Sequence, residues 1–240
     1  YTEICGAFVI RVEMKNRNEK RRLSGVIFDM DGLMFDTERV ISHAWDLVGE
    51  QMGYEALGAH IRCTLGLNLK GRGEYFRKVC GQDFPFDEFT DRYRKETALY
   101  MEKHGVPVKP GLYQLLAWLQ ERKIPMAVAT SASRRYAEEK LRQTNVFSCF
   151  KEIICGDQVQ FSKPHPQIYR CAVEALGIKP EEAAALEDSP KGLEAALNAG
   201  LMAVMIPDLL EEAPGLENRL TAKLRSLEEV PKFLEENFVF

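Results

Sequence analysis

The chain has 240 residues, enough for one large domain or a core with a smaller companion, and its 45% hydrophobic and 28% charged content is ordinary for a globular fold. A net charge of −4 argues against broad nucleic-acid binding, which draws on a positive surplus. Six cysteines (5, 63, 80, 149, 155 and 171) with no C-x-x-C pair read as reduced thiols of a cytoplasmic protein, and the apolar stretch 4–10 is too short to span a membrane.

In chain order, Met14 is the expected start of native translation, and residues 1–22 read as an N-terminal arm whose basic run KNRNEKRR (15–22) is solvated. Residues 25–28 (GVIF) form a buried strand that ends in Asp29-Met30-Asp31-Gly32, two carboxylates one residue apart followed by a turn glycine. Like charges held so close need a cation, a proton, or both. From residue 37 the period becomes helical: Val40, Ala44, Val48 and Met52, with Ile41 and Trp45, mark one face, and Phe89, Tyr93, Thr97, Tyr100 and Met101 mark another over 87–104. The glycine-rich passage 66–73 between them reads as a loop, so 37–105 is expected to be a small all-helical insertion.

After residue 105 strands and helices alternate. Strands are expected at 124–130, 152–155, 183–186 and 202–206, with helices opening at Pro110-Gly111, over 133–144 and 166–176, and over 193–199 with Gly200 as a left-handed cap. Strands separated by helices imply parallel pairing, so 23–36 and 106–240 together form a doubly wound α/β core. In such a sheet, ligands gather outside the carboxyl ends of the strands. Four polar groupings fall at such ends: Asp29 with Asp31, Thr130-Ser131, Lys163, and Glu187-Asp188-Ser189. Each alone also reads as a helix cap, a surface lysine or a turn. Together they supply carboxylates, hydroxyl donors and one cation, an inventory suited to Mg²⁺-assisted phosphoryl transfer. His43, His60, His104 and His165 are scattered, so no zinc site is expected.

DMDGLMFDTE (29–38), ATS (129–131), SKPHP (162–166) and EDSPKG (187–192) resemble, in order and spacing, the haloacid dehalogenase superfamily, in particular its phosphatase and β-phosphoglucomutase-like branch with a helical cap after the first motif. The resemblance implies a mainly parallel, Rossmann-like sheet with an all-helical cap at 37–105, hinged at 36–38 and 104–107. It implies Asp29 as a nucleophile that becomes an aspartyl phosphate, Asp31 as general acid and base, and Lys163 as the balancing cation. Thr130 and Ser131 would bind the phosphoryl group, and Asp29, the Asp31 carbonyl, Asp188 and Glu187 would hold Mg²⁺. His165 stands where a small residue is usual, and a loop-filling role is expected for it. Asp31 and Glu187-Asp188 point away from dehalogenases proper, which need neither a metal nor the second acid.

The polar cap residues of β-phosphoglucomutases are absent in register: Ile41 stands for a histidine, with Leu65 and Leu69 about Gly66, although Arg62, Lys70 and Arg72 lie close by. Hydrolysis of a small phosphorylated metabolite is therefore the expected reaction, with a phosphosugar mutase or a non-catalytic phosphate-binding relative as alternatives. DMDGL, DTER and VMIPD (204–208) also resemble pseudouridine-5′-phosphatase-like relatives. A monomer is expected.

Overall fold

The computed structural model describes residues 20–240; residues 4–10, Cys5, Met14 and the start of the basic run lie outside the described residues. Five strands carry the core: β2 (Gly25–Phe28), β3 (Met126–Thr130), β4 (Glu152–Cys155), β5 (Ala183–Glu187) and β6 (Met202–Met205). Three further pieces were not anticipated from the pattern, because two residues are too few to show a period: β1 (Arg21–Arg22), β7 (Ala222–Lys223) and β8 (Phe238–Val239). The central sheet has the order β4-β3-β2-β5-β6-β7, and every pairing in it is parallel.

Strand alternation divides the core into two layers. Val26 and Phe28 face a cluster with Leu112, Leu115, Leu116 and Leu119 of α5 (Leu112–Glu121), Ala137 and Leu141 of α6 (Arg134–Gln143), and Val230 and Leu234 of α9 (Val230–Asn237). Ile27 faces the other way, onto α7 (Gln167–Leu176) and α8 (Pro190–Asn198). Helices thus cover both faces, and β2 sits between β3 and β5 where the strand order departs in both directions. The last strand, β8 (Phe238–Val239), pairs in parallel with β1, so residues 21 and 22, though exposed, are tied to the C-terminal segment.

The inserted region consists of α1 (Thr37–Gln51), a short α2 (Ile61–Thr64), α3 (Leu69–Cys80) and α4 (Phe86–His104). Its own core is aromatic: Trp45 meets Phe76 edge-on at 5.0 Å, and Phe76 lies 5.3 Å from Phe89. The glycine-rich passage is not all loop. Asn68 caps α3, its Oδ1 accepting from the Gly71 N–H at 3.0 Å, and burial of Phe76 on that helix outweighs the ~1 kcal/mol that a helical glycine costs. Tyr100 also departs from the expected stripe: it is 43% exposed and lies against His104 rather than in the cap core. No helix among the described residues is long and apolar enough to cross a membrane, and the five cysteines among them are all free.

Two chain crossings join the core to the inserted region. Phe35, fully buried, bridges to Val108, and the Asp36 N–H donates to the Pro107 carbonyl at 2.8 Å. Beside this crossing the buried Asp208 carboxylate accepts from Arg39 of α1 at 2.6 Å and from Lys109 at 2.5 Å. Asp208→Ala should leave both cations without that acceptor. The expected loss is about 1–2 kcal/mol, kept small because Arg39 is half exposed, and urea unfolding of the variant measures it.

Candidate active site

β2 is short, wholly buried and hydrogen-bonded on both sides, so its carboxyl end is a rigid mount. Asp29 follows it directly, with its N–H donating to the Leu186 carbonyl at 3.0 Å, and is 7% exposed. Lys163, 1% exposed, reaches Asp29 Oδ1 and Glu187 Oε1, each at 2.5 Å. Glu187 ends β5, and four donors engage its carboxylate. Lys163 and the Tyr169 hydroxyl (2.7 Å) reach Oε1, while the Ser189 N–H (3.1 Å) and hydroxyl (3.0 Å) reach Oε2. The same Ser189 Oγ caps α8 by accepting from the Gly192 N–H at 3.1 Å, so the loop that orients Glu187 also starts the helix. A Cβ at position 192 would lie 1.8 Å from Glu187 Oε1, and one at Gly32, where φ is +91°, would lie 2.3 Å from Asp188 Oδ2. Backbone approaches both carboxylates too closely for any side chain there.

Asp29, Glu187 and Asp188 each offer an oxygen within 4.8 Å of the others, and all three are buried. One lysine does not neutralise them. The Asp29 carboxyl is pushed up to about 8, first by burial, against the pull of Lys163, and further by the Glu187 charge. Asp188 is raised well above the usual range by burial, then by Glu187 and Asp29. Burial opposes the Lys163 ammonium, but Asp29 and Glu187 more than offset it and hold the group charged. Three buried carboxylates, with Asp29 and Asp188 raised in proton affinity for want of positive charge, make an all-oxygen donor set that fits a divalent cation such as Mg²⁺. Because the Glu187 oxygens are already taken by protein donors, Asp29 and Asp188 are the members freest to face such an ion.

Asp31 points elsewhere. Its Oδ1 accepts from Thr37, the first residue of α1, at 2.5 Å and from Tyr136 of α6 at 3.4 Å, and its carboxyl is raised, chiefly by burial and against those two bonds. Asp29, Asp31 and Asp188 open into one cavity of about 500 Å³ between core and cap. Thr130 and Ser131 line it too. Thr130 Oγ1 accepts from the Ala132 N–H at 3.1 Å, shaping the loop after β3, while the Ser131 hydroxyl donates to the Gly66 carbonyl at 2.9 Å. Ser131 therefore ties core to cap. On the cap side Glu38, Ile41, Leu65 and Arg72 form the wall.

The Glu38 carboxyl is pushed up to about 7 by burial, with Arg72 opposing and Asp31 reinforcing. Between 4.5 and about 7 the folded chain keeps a proton that the unfolded chain has shed, so stability falls as pH rises through that window. Glu38→Gln cannot ionise. Its stability relative to the parent, read from urea unfolding at a series of pH values, should rise across the window and stay level below it; parallel profiles would contradict this.

Every residue expected at the site from the sequence lines or adjoins this cleft, while His165, expected only to fill the loop, is exposed and lies against Phe161 with ring centroids 4.6 Å apart. Tyr136 and Tyr169 were not singled out. Tyr169 shares its helix face with Ile168 and Ala172 and so reads as core; only the fold sets its hydroxyl against Glu187.

Residues 26–206 match a family model described as haloacid dehalogenase-like hydrolase. The chain is 31% identical to a "Probable pseudouridine-5′-phosphatase" of Drosophila melanogaster over 78% of its own length and 83% of that protein. It is also 31% identical to the "Phosphorylated carbohydrates phosphatase" of Thermotoga maritima, over 75% and 82% respectively. Among solved structures, CbbY from Rhodobacter sphaeroides in complex with phosphate superposes with a TM-score of 0.73 at 27% identity, covering 87% of this chain and 96% of that one.

Proposed function

The chain belongs to the haloacid dehalogenase-like hydrolase family, and we propose that it is a Mg²⁺-dependent phosphatase that hydrolyses a small organic phosphomonoester through an aspartyl phosphate on Asp29. The observation that carries this reading is the pairing of Asp29 with Lys163 at 2.5 Å, at the mouth of a cavity that also holds Asp31 and Asp188. The names of the two curated relatives, both phosphatases, support it.

In the first half-reaction an Asp29 oxygen attacks phosphorus and the bond to the leaving oxygen breaks, while Asp31 delivers a proton to that oxygen. A carboxyl held above the usual range, as Asp31 is, carries that proton closer to neutrality. In the second half-reaction Asp31 takes a proton from water as the water attacks the phosphorus of the acyl phosphate, restoring the Asp29 carboxylate and releasing phosphate. Lys163 balances charge on Asp29 and on the transferring oxygens, and Glu187 holds Lys163 in place. Thr130 and Ser131 border the phosphoryl position. Asp29, Asp188 and the Asp31 carbonyl would hold Mg²⁺, which would supply the positive charge that lets a phosphate dianion approach a carboxylate.

Water is the better-supported acceptor. Ile41 and Leu65 give the cap wall an apolar lining, and Arg72, the cation on that wall, already faces Glu38 at 3.7 Å. Phosphate release from a panel of sugar phosphates and nucleoside monophosphates tests the reading. Release should require Mg²⁺, stop with EDTA and return with added Mg²⁺. No release from any substrate, or interconversion of glucose 1-phosphate under a bisphosphate activator without net phosphate, would contradict it.

A further inference from the structure

A buried carboxylate and a partly buried guanidinium on the cap wall face each other with their bonding unfinished. Glu38, on the first turn of α1, is 2% exposed; Arg72 stands on the first turn of α3 with its guanidinium over the Trp45 ring at 5.8 Å. Arg72 Nη2 lies 3.7 Å from Glu38 Oε1, close enough for ionic attraction and too far for a hydrogen bond. Glu38 Oε2 and Arg72 Nε are both buried and have no partner among the described residues. Both side chains line the cavity that contains Asp29. The other cations about it are otherwise committed or peripheral: Lys140 is bonded to Glu139 and Gln143, and Lys70, Arg94 and Arg135 are exposed.

Buried polar atoms without partners are costly, and the cost is larger when they are charged. One neutral group completes both: a hydroxyl donates to a carboxylate oxygen and accepts from a guanidinium N–H. A carboxylate or second phosphate at that point would meet Glu38, an ammonium would meet Arg72, and an alkyl chain would leave both unpaired. We propose that Glu38 and Arg72 form the subsite that selects the leaving group, and that it favours phosphomonoesters of neutral polyhydroxylated alcohols. This deepens the phosphatase reading and depends on it to identify Asp29 as the phosphate end of the cavity.

The test separates recognition from turnover by measuring calorimetric binding to the Asp29→Asn protein with Mg²⁺ at pH 8. Erythritol 4-phosphate, n-butyl phosphate and 4-phosphooxybutanoate have the same carbon count and differ only in hydroxyls and terminal charge. The polyol ester should bind roughly 10–100-fold more tightly than either of the others, the gain expected from a hydroxyl's hydrogen bonds to charged groups. Arg72→Met and the near-isosteric Glu38→Gln, each in that background, should shrink this ratio toward one while binding of butyl phosphate changes far less. Equal affinities for the three esters in the parent, or variants that weaken all three alike, would overturn the proposal. Failure of the wild-type chain to release phosphate from phenyl phosphate would overturn the phosphatase reading instead, leaving the binding ratio to stand or fall separately.

Discussion

Asn in place of Asp29 should reduce phosphate release by at least ~10⁴-fold while leaving the fold intact, because losing a nucleophile removes the covalent route and not merely one contact. The amide has nearly the shape of the carboxylate but no anionic oxygen with which to attack phosphorus. Lys163 keeps Glu187 as its partner at 2.5 Å, so the change does not strand a buried cation. It also takes one negative charge out of a group of three buried carboxylates that share a single lysine. In EDTA the Asp29→Asn protein should therefore be as stable as the parent or more stable, and urea unfolding beside a release assay checks both parts. A variant with unchanged turnover would remove Asp29 from the chemistry. One that unfolds would mean that the carboxylate is chiefly structural.

Lys163→Met should do the opposite to stability. Methionine occupies a similar volume but leaves Asp29, Glu187 and Asp188 buried with no cation among them. Removing one partner of a buried ion pair typically costs about 3–5 kcal/mol, and loss of a donor to the transferring oxygens costs a further ~10²–10³-fold in rate. The stability loss should be larger near pH 9 than near pH 6, since Asp29, pushed up to about 8 in the parent, still carries its own proton at the lower pH and meets the missing cation only once it ionises. Urea unfolding at the two pH values, with metal chelated, gives the comparison. A deficit independent of pH would point to packing at position 163 instead of charge.

The strands that build the site were legible because each is a short apolar run bounded by turn residues, and the groups at their ends follow without interruption. Asp29 after GVIF and Glu187 after AAAL needed no three-dimensional information to be placed at a sheet edge. Long helices with sustained periods, such as α1 and α4, were equally plain, although Tyr100 shows that a residue can keep the spacing and still face solvent. What escaped was set by tertiary contact. α3 begins inside a glycine-rich passage because Asn68 caps it and Phe76 anchors it, and β7 and β8 exist only because a neighbouring strand pairs with them. Tyr169 and Tyr136 carry no local signal of polar work, and Glu38 and Arg72, though each stood within or beside a quoted motif, carry none of their pairing. Their sites form where α7 meets β5 and where the cap closes over the core. Asp208 was visible as the end of the VMIPD motif, but its part as the acceptor for Arg39 and Lys109 belongs to the chain crossings.

Turnover through Asp29 requires a covalent bond between its carboxylate and phosphorus, and trapping that bond is the most direct test. Protein quenched during turnover of a phosphomonoester, reduced with borohydride and mapped by mass spectrometry should carry homoserine at position 29, the reduction product of an aspartyl phosphate. Homoserine at Asp31 or another carboxylate, or none at all while phosphate is being released, would contradict it.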